Sequence, residues 1–232
     1  MLSRVASSIY WVNRYIERAE NYARFIEVNL NLSLDLPRGT VEQWEPLVAT
    51  TGDHEMFVAR YGKATKETVL HFLVADAENQ NSILSCLLGA RENARSIKEI
   101  IPSEMWEQVN RFYLMVRDAV TRGMSHHDLH AFLADVKAAS HLLWGITDAT
   151  MSHGEGWHFA RLGRLLERAD KTSRILDVKY FILLPTADEV GTPFDIIQWS
   201  DLLKSASALE MYYKRYGRIA PDDVAAFLIL EP

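Results

Sequence analysis

Cysteine, glycine and proline are scarce in this 232-residue chain, and each shortage excludes something. Cys86 is the one cysteine, so there is no internal disulfide, and a reducing compartment fits. Its setting, Ser82-Ile83-Leu84-Ser85-Cys86-Leu87-Leu88, is apolar and offers no adjacent base, so the thiol reads as buried and inert rather than nucleophilic. Eleven glycines and seven prolines fall below the roughly 12% of an average protein, which argues against a turn-rich all-β fold. No uncharged apolar run approaches the roughly 18 residues of a membrane span. The short apolar stretch Val5–Val12 runs straight into Asn13, Arg14 and Glu17 without a cleavage context, so a cytoplasmic protein is expected. Basic residues do not dominate: the net charge is −6, which leaves no overall nucleic-acid footprint and no expected nucleic-acid or membrane partner. Walker loops, Gly-x-Gly-x-x-Gly, His-Glu-x-x-His and Gly-x-Ser-x-Gly are all missing. Neither a cofactor nor a metal site is expected.

What remains is helical. The 82 residues from Ser103 to Leu184 contain no proline, as helices allow. The pattern predicts a first helix over about 3–32, ending before Pro37-Arg38-Gly39, and short helices over 41–50, 53–61 and 64–74. Longer ones follow over 78–100, from a Ser103 cap to Gly123, and over 127–152. After a break at His153-Gly154-Glu155-Gly156 come helices over 157–183 and 195–216, and Pro221 opens a last one. Only 180–184 hints at extended chain. The expectation is a single all-α domain over 1–232, a multi-helix bundle.

An internal repeat organises the chain. Val12–Val28 over Leu162–Val178, an offset of 150, gives six identities in 17 positions: Arg14/Arg164, Glu17/Glu167, Arg18/Arg168, Ala19/Ala169, Arg24/Arg174 and Val28/Val178. On a helix of about 100° per residue, Val12, Tyr15, Ile16, Ala19, Tyr22, Ala23 and Ile26 form one arc, matched by Leu162, Leu165, Leu166, Ala169 and Leu176. These read as the core stripes. Nearly opposite lie Arg14, Glu17, Arg18, Asn21 and Arg24, and in the second copy Arg164, Glu167, Arg168, Lys171 and Arg174. A solvated face with local ion pairs is one reading. Against it, apolar residues (Tyr10, Phe25, Val28, Trp157, Ile175, Val178) flank the charges. The two arcs also carry seven basic groups against two glutamates, a surplus of five in a protein of net −6. A sheltered arginine face of this kind takes carboxylates or phosphates bidentately. The repeat further predicts the two helices side by side about a pseudo-twofold, with Glu17 pairing to Arg168 and Glu167 to Arg18.

Tyr15-Ile16-Glu17-Arg18-Ala19-Glu20-Asn21 and Leu166-Glu167-Arg168-Ala169-Asp170 resemble the two Glu-Arg signatures of the bacterial alpha-E domain family. Ala90-Arg91-Glu92-Asn93-Ala94-Arg95, Ser103–Asn110, Met211–Tyr216 and Val224–Leu228 resemble its central and C-terminal segments, in order along the chain. The resemblance implies an all-helical protein, and a chain cut short or a short member, since relatives continue past the position of Pro232. It also implies an association with circularly permuted ATP-grasp proteins, transglutaminase-like proteins and sometimes a proteasome-like peptidase. ATP-grasp enzymes join carboxylates to amines through acyl phosphates. An accessory role in making or processing a peptide or amide follows.

The candidate binding residues are therefore Arg14, Glu17, Arg18, Arg24, Arg164, Glu167, Arg168 and Arg174. Arg91 and Arg95, one turn apart, either extend the basic site or form a solvated face. Glu17 and Glu167 are expected to have depressed pKa values beside arginine, which suits ion pairs better than proton donation. His126, His127 and His130 read as an exposed polar cluster, and His153 and His158 flank a helix break able to offer backbone N–H groups to an anion. Trp11, Trp44, Trp106, Trp144, Trp157 and Trp199 mostly sit at core spacings. Three functions stay open: a non-catalytic ligase partner binding an acidic peptide or protein, an enzyme with Glu17 and Glu167 at an amide-acting site, and a purely structural bundle.

Overall fold

The computed structural model describes residues 1–35, 44–123, 126–181 and 191–230. The stop expected before Pro37, the side chains of His126 and His127, and most of the stretch 180–184 fall outside the described residues. Among those residues there are eleven α-helices and no strand. They are α1 (Ser3–Asp35), α2 (Glu45–Ala49), α3 (His54–Tyr61), α4 (Lys66–Leu70), α5 (Ile83–Ser96), α6 (Ser103–Arg122), α7 (His126–Thr150), α8 (Glu155–Phe181), α9 (Pro193–Ser205), α10 (Leu209–Tyr216) and α11 (Pro221–Leu230). A π-helical turn, His71–Ala75, follows α4 directly. The all-α expectation holds, and no described helix is long and apolar enough to cross a membrane.

Several boundaries move for identifiable reasons. Helix α5 starts at Ile83 rather than 78, because buried Asn79 ties the preceding loop to the Phe72 carbonyl at 2.8 Å and Ser82 caps the Ser85 N–H at 3.1 Å. Ser103 is not the cap of α6; it is the first helical residue, and Pro102 precedes it without a side-chain cap. At the other end Gly123, at φ 74°, terminates that helix in the left-handed region that glycine adopts without strain. Glu155 and Gly156 belong to α8 rather than to the break. The helix expected over 195–216 is two: Ser207 sits at φ 57° between α9 and α10.

The chain divides into two compact units. The first comprises Met1–Glu27 and Thr65–Ala169, the second Val28–Ala64 and Asp170–Pro232. In the first unit α5 packs on α6 and α6 on α7. Ile9, Val12, Ile16, Ala19, Ala23 and Ile26 of α1 are fully buried, as are Ile83, Cys86 and Ala90 of α5, Met105 and Val116 of α6, and Leu133, Val136 and Leu143 of α7. The apolar stripe of α1 is thus the core stripe that its spacing predicts, although Tyr15 is only half-buried. Cys86 is buried as expected, its thiol 3.3 Å from the Asn81 carbonyl.

The matching stripe of α8 is buried only at Leu176. Leu162, Leu165 and Leu166 are 46%, 47% and 45% exposed, and Ala169 is exposed as well, whereas Ala160, Gly163 and Glu167 are buried. This part of α8 turns its charged side inward and its leucines outward. The reason is α1: a Cβ on Gly163 would collide with the Tyr10 backbone carbonyl, so this glycine is where the two helices approach closely. Their ties run from Met1 with Glu155 through Arg14 and Arg18 with Glu167 to Glu17 with Arg168, at separations of 154, 153, 149 and 151 residues. Near-constant separation means that the two segments run parallel, and the separation is the repeat offset itself.

In the second unit α9 packs with α10 and α11. Tyr212 is fully buried, stacked on Tyr216 at 4.8 Å and edge-on to Phe227 at 5.5 Å, with its hydroxyl donating to the Arg218 carbonyl at 2.9 Å. Lys179, also buried, donates to Asp195 and Gln198 at 2.7 Å each. Of the six tryptophans only Trp44 and Trp199 are buried; Trp11 is exposed and Trp106, Trp144 and Trp157 are half-buried, so core packing does not account for them as a group.

Candidate functional site

The two Glu-Arg motifs meet in the first unit. Glu167 is fully buried and receives Arg18 as a fork, from Nε at 2.7 Å and Nη2 at 2.9 Å, together with Arg14 Nε at 2.5 Å. Remaining donors are used as well: Arg14 Nη1 donates to the Tyr10 hydroxyl at 2.7 Å and Arg18 Nη1 to Asn81 at 2.5 Å. Glu17, 1% exposed, accepts from Arg168 Nε at 2.8 Å and lies 3.5 Å from Arg164 Nε. Both expected cross-helix pairs, Glu17 with Arg168 and Glu167 with Arg18, are present. Each motif's glutamate neutralises the other motif's arginines, so the solvated-face reading fails here: an exposed stripe would not bury two carboxylates.

The two halves differ in access. The Arg14 and Arg18 side chains are 18% and 13% exposed, those of Arg164 and Arg168 29% and 45%. The Glu167 half is sealed and the Glu17 half opens outward. Electrostatics follow this division. Burial works against the charges of Arg14 and Arg18, yet contact with Glu167 outweighs it and both are held above the ordinary guanidinium value. Arg164 is held below it, by burial first and then by repulsion from Arg168 and Arg161. Glu17 corrects the expectation of depressed glutamates: burial pushes its carboxyl above the usual value, against the pull of the Arg168 guanidinium.

The other candidates go elsewhere. Arg24 pairs along its own helix with Glu20, four residues earlier. Arg174, in the second unit, donates to Asp170 at 3.0 Å and packs its guanidinium over Gly52, where a Cβ would displace it. Arg91 donates to Asn110 at 2.7 Å and pairs with Glu92, which Arg95 also contacts at 2.5 Å, so these two serve the α5 surface and not the buried cluster. At the helix break, Glu155 in the first turn of α8 binds the N-terminal ammonium at 2.6 Å. Among the described residues no group of three His, Cys, Asp or Glu side chains is placed to hold a metal ion.

Arg161 lies outside the repeated motif and was not legible as a site residue. It is exposed, sits over the Trp157 ring at 5.1 Å, and has no carboxylate partner among the described residues. One turn on, Arg164 lies over Trp144 at 4.4 Å. The signal available in sequence was the i, i+3 spacing of the two arginines on the rim of the buried motif.

A family model for Alpha-E, described as a predicted alpha-helical domain with a conserved ER motif, matches residues 1–232. Comparison with curated proteins and with solved structures finds no match.

Proposed function

The chain belongs to the Alpha-E family, and from that premise we propose that it is a non-catalytic helical partner in an ATP-grasp peptide or amide ligase system, binding an acidic peptide or an acidic partner surface on its open arginine side. The observation that carries this reading is the unequal exposure of arginine. Each motif glutamate faces two arginines, but Arg14 and Arg18 are sealed with Glu167, whereas Arg164 and Arg168 beside Glu17 are more exposed. The second half therefore presents guanidinium to solvent in a protein of net −6, and guanidinium forks match carboxylates. The reciprocal pairing at the repeat offset supports a pseudo-twofold between the two motifs, in which one half is structural and the other is the binding half. Circularly permuted ATP-grasp and transglutaminase-like proteins are the partners consistent with this role, and a cytoplasmic location with the single buried thiol.

One observation favours the enzyme reading: the Glu17 carboxyl is raised, as a general acid requires. Its near-complete burial and its bond to Arg168 weigh against direct contact with a substrate. A tetraglutamate peptide titrated calorimetrically at low and physiological salt tests the proposal. Binding at low salt that is lost in folded Arg168→Ala protein supports it; no binding, or binding indifferent to Arg168, overturns it. Turnover of a peptide or amide by the isolated protein, abolished in Glu17→Gln, would establish the enzyme instead.

A further inference from the structure

Beside the open half, a cleft of about 420 Å³ lies between α7 and α8 of the first unit, lined by Trp144, Asp148, Trp157, Arg161 and Arg164 among others. We propose that this cleft receives the free C-terminal carboxylate of a short peptide, bound by Arg161 and Arg164; the inference rests on the anion-binding reading and names the group recognised.

Four features converge on that ligand. First, both guanidiniums lie over indole rings, Arg161 over Trp157 at 5.1 Å and Arg164 over Trp144 at 4.4 Å. Stacking holds a guanidinium flat and leaves its in-plane N–H edge free for a carboxylate. Second, the donors are unspent. Arg164 makes no hydrogen bond among the described residues: its Nε is buried and unsatisfied, 3.5 Å from Glu17. The Trp144 indole N–H is likewise buried and unpaired, and orphan donors of this kind point to a missing water or ligand. Third, the charges count to a monoanion. Glu17 at 3.5 Å already shares Arg164 and Asp148 lies in the same cleft, so the remaining positive charge suits a carboxylate monoanion better than a phosphate dianion.

Fourth, Asp148 supplies an acceptor in the same cleft. One of its oxygens takes the Trp157 indole N–H at 3.2 Å, and a carboxylate has further lone pairs for a peptide N–H. A carboxylate site and an N–H acceptor together describe a peptide terminus, and the volume is ample for a dipeptide. The Trp157 ring is also stacked with His153 at 4.3 Å, so the wall is braced before any ligand arrives.

Alanyl-phenylalanine and its C-terminal amide, titrated by calorimetry at low salt, separate the outcomes. The free acid should bind at least about tenfold more tightly than the amide, and Arg161→Ala should erase that preference. Arg161 is exposed and has no carboxylate partner, so the variant should fold; its unfolding midpoint checks this. Equal binding of acid and amide, an unchanged preference in Arg161→Ala, or no dipeptide binding up to millimolar concentration each overturn the cleft assignment. The tetraglutamate titration with Arg168→Ala then decides the broader reading independently: Arg168-dependent binding there leaves it standing without this cleft.

Discussion

At the scale of single residues, the buried carboxylates are not interchangeable. Removing the Glu167 side chain leaves Arg14 and Arg18 facing each other without their counter-charge in a sealed half. Glu167→Ala should therefore cost about 3 kcal/mol or more, well beyond an exposed ion pair; a denaturant midpoint within error of the parent would contradict it. Asp195 in the second unit is a pH reporter. Burial alone would raise its carboxyl, but the Lys179 ammonium and the Gly191 N–H outweigh it and hold the value below the usual aspartate range. A depressed carboxyl stabilises the fold above its unfolded pKa and loses that contribution as pH falls through the folded value. The gap in thermal midpoint between parent and Asp195→Asn should hence be widest near neutrality and close as pH drops toward about 3. Glu17 runs the opposite way. Its raised value favours the fold at low pH, and that contribution is lost as pH rises through the folded pKa.

Helix α8 is where sequence and structure part, and the reason is physical. Periodicity finds an apolar arc and an opposing charged arc on both copies, but it cannot say which arc is buried when the charged one brings its own counter-charges. In α1 both arcs are covered, Ile16 on one side and Glu17 on the other; in the earlier part of α8 only the charged side is, leaving Leu166 45% exposed, while Leu176 farther along is buried. The cross-helix pairs were legible because Glu17 and Glu167 occupy matched positions, each with one arginine three residues before it and another directly after it. The break between α9 and α10 was not, since Ser207 carries no glycine signal for its positive φ. Leu166→Lys should consequently change stability by no more than about 0.5 kcal/mol, whereas Ile16→Lys, its repeat partner, should prevent folding or cost about 4 kcal/mol or more. Equal losses would return α8 to the leucine-inward arrangement. Gly163→Ala tests the α1–α8 approach itself: the new Cβ meets backbone at Tyr10, so overpacking should destabilise by about 1–3 kcal/mol, despite alanine's higher helix propensity. A midpoint at or above the parent's would mean the helices are farther apart.

Across the whole molecule, two fields compete for an anionic ligand. The chain as a whole carries −6 and repels it, while the exposed guanidiniums of Arg161 and Arg168 and the half-buried one of Arg164 attract it over a few ångströms. Salt separates the two because their ranges differ. At about 0.01 M ionic strength the screening length is about 30 Å, comparable to a domain of this size, and the net repulsion is fully felt. Near 0.15 M it is about 8 Å, and charges spread over distant helices drop out first. If the local arginines dominate, adding salt over this range weakens tetraglutamate binding throughout, and Arg168→Ala flattens the slope. Should the net charge dominate, affinity instead rises with the first increments of salt. We expect the first behaviour, because guanidiniums partly sheltered from water interact through a lower effective dielectric than the dispersed surface carboxylates do. A measured affinity that increases between those two salt concentrations would show that the arginine surplus is too weak to act as a binding face, and would leave the buried Glu-Arg cluster a purely structural one.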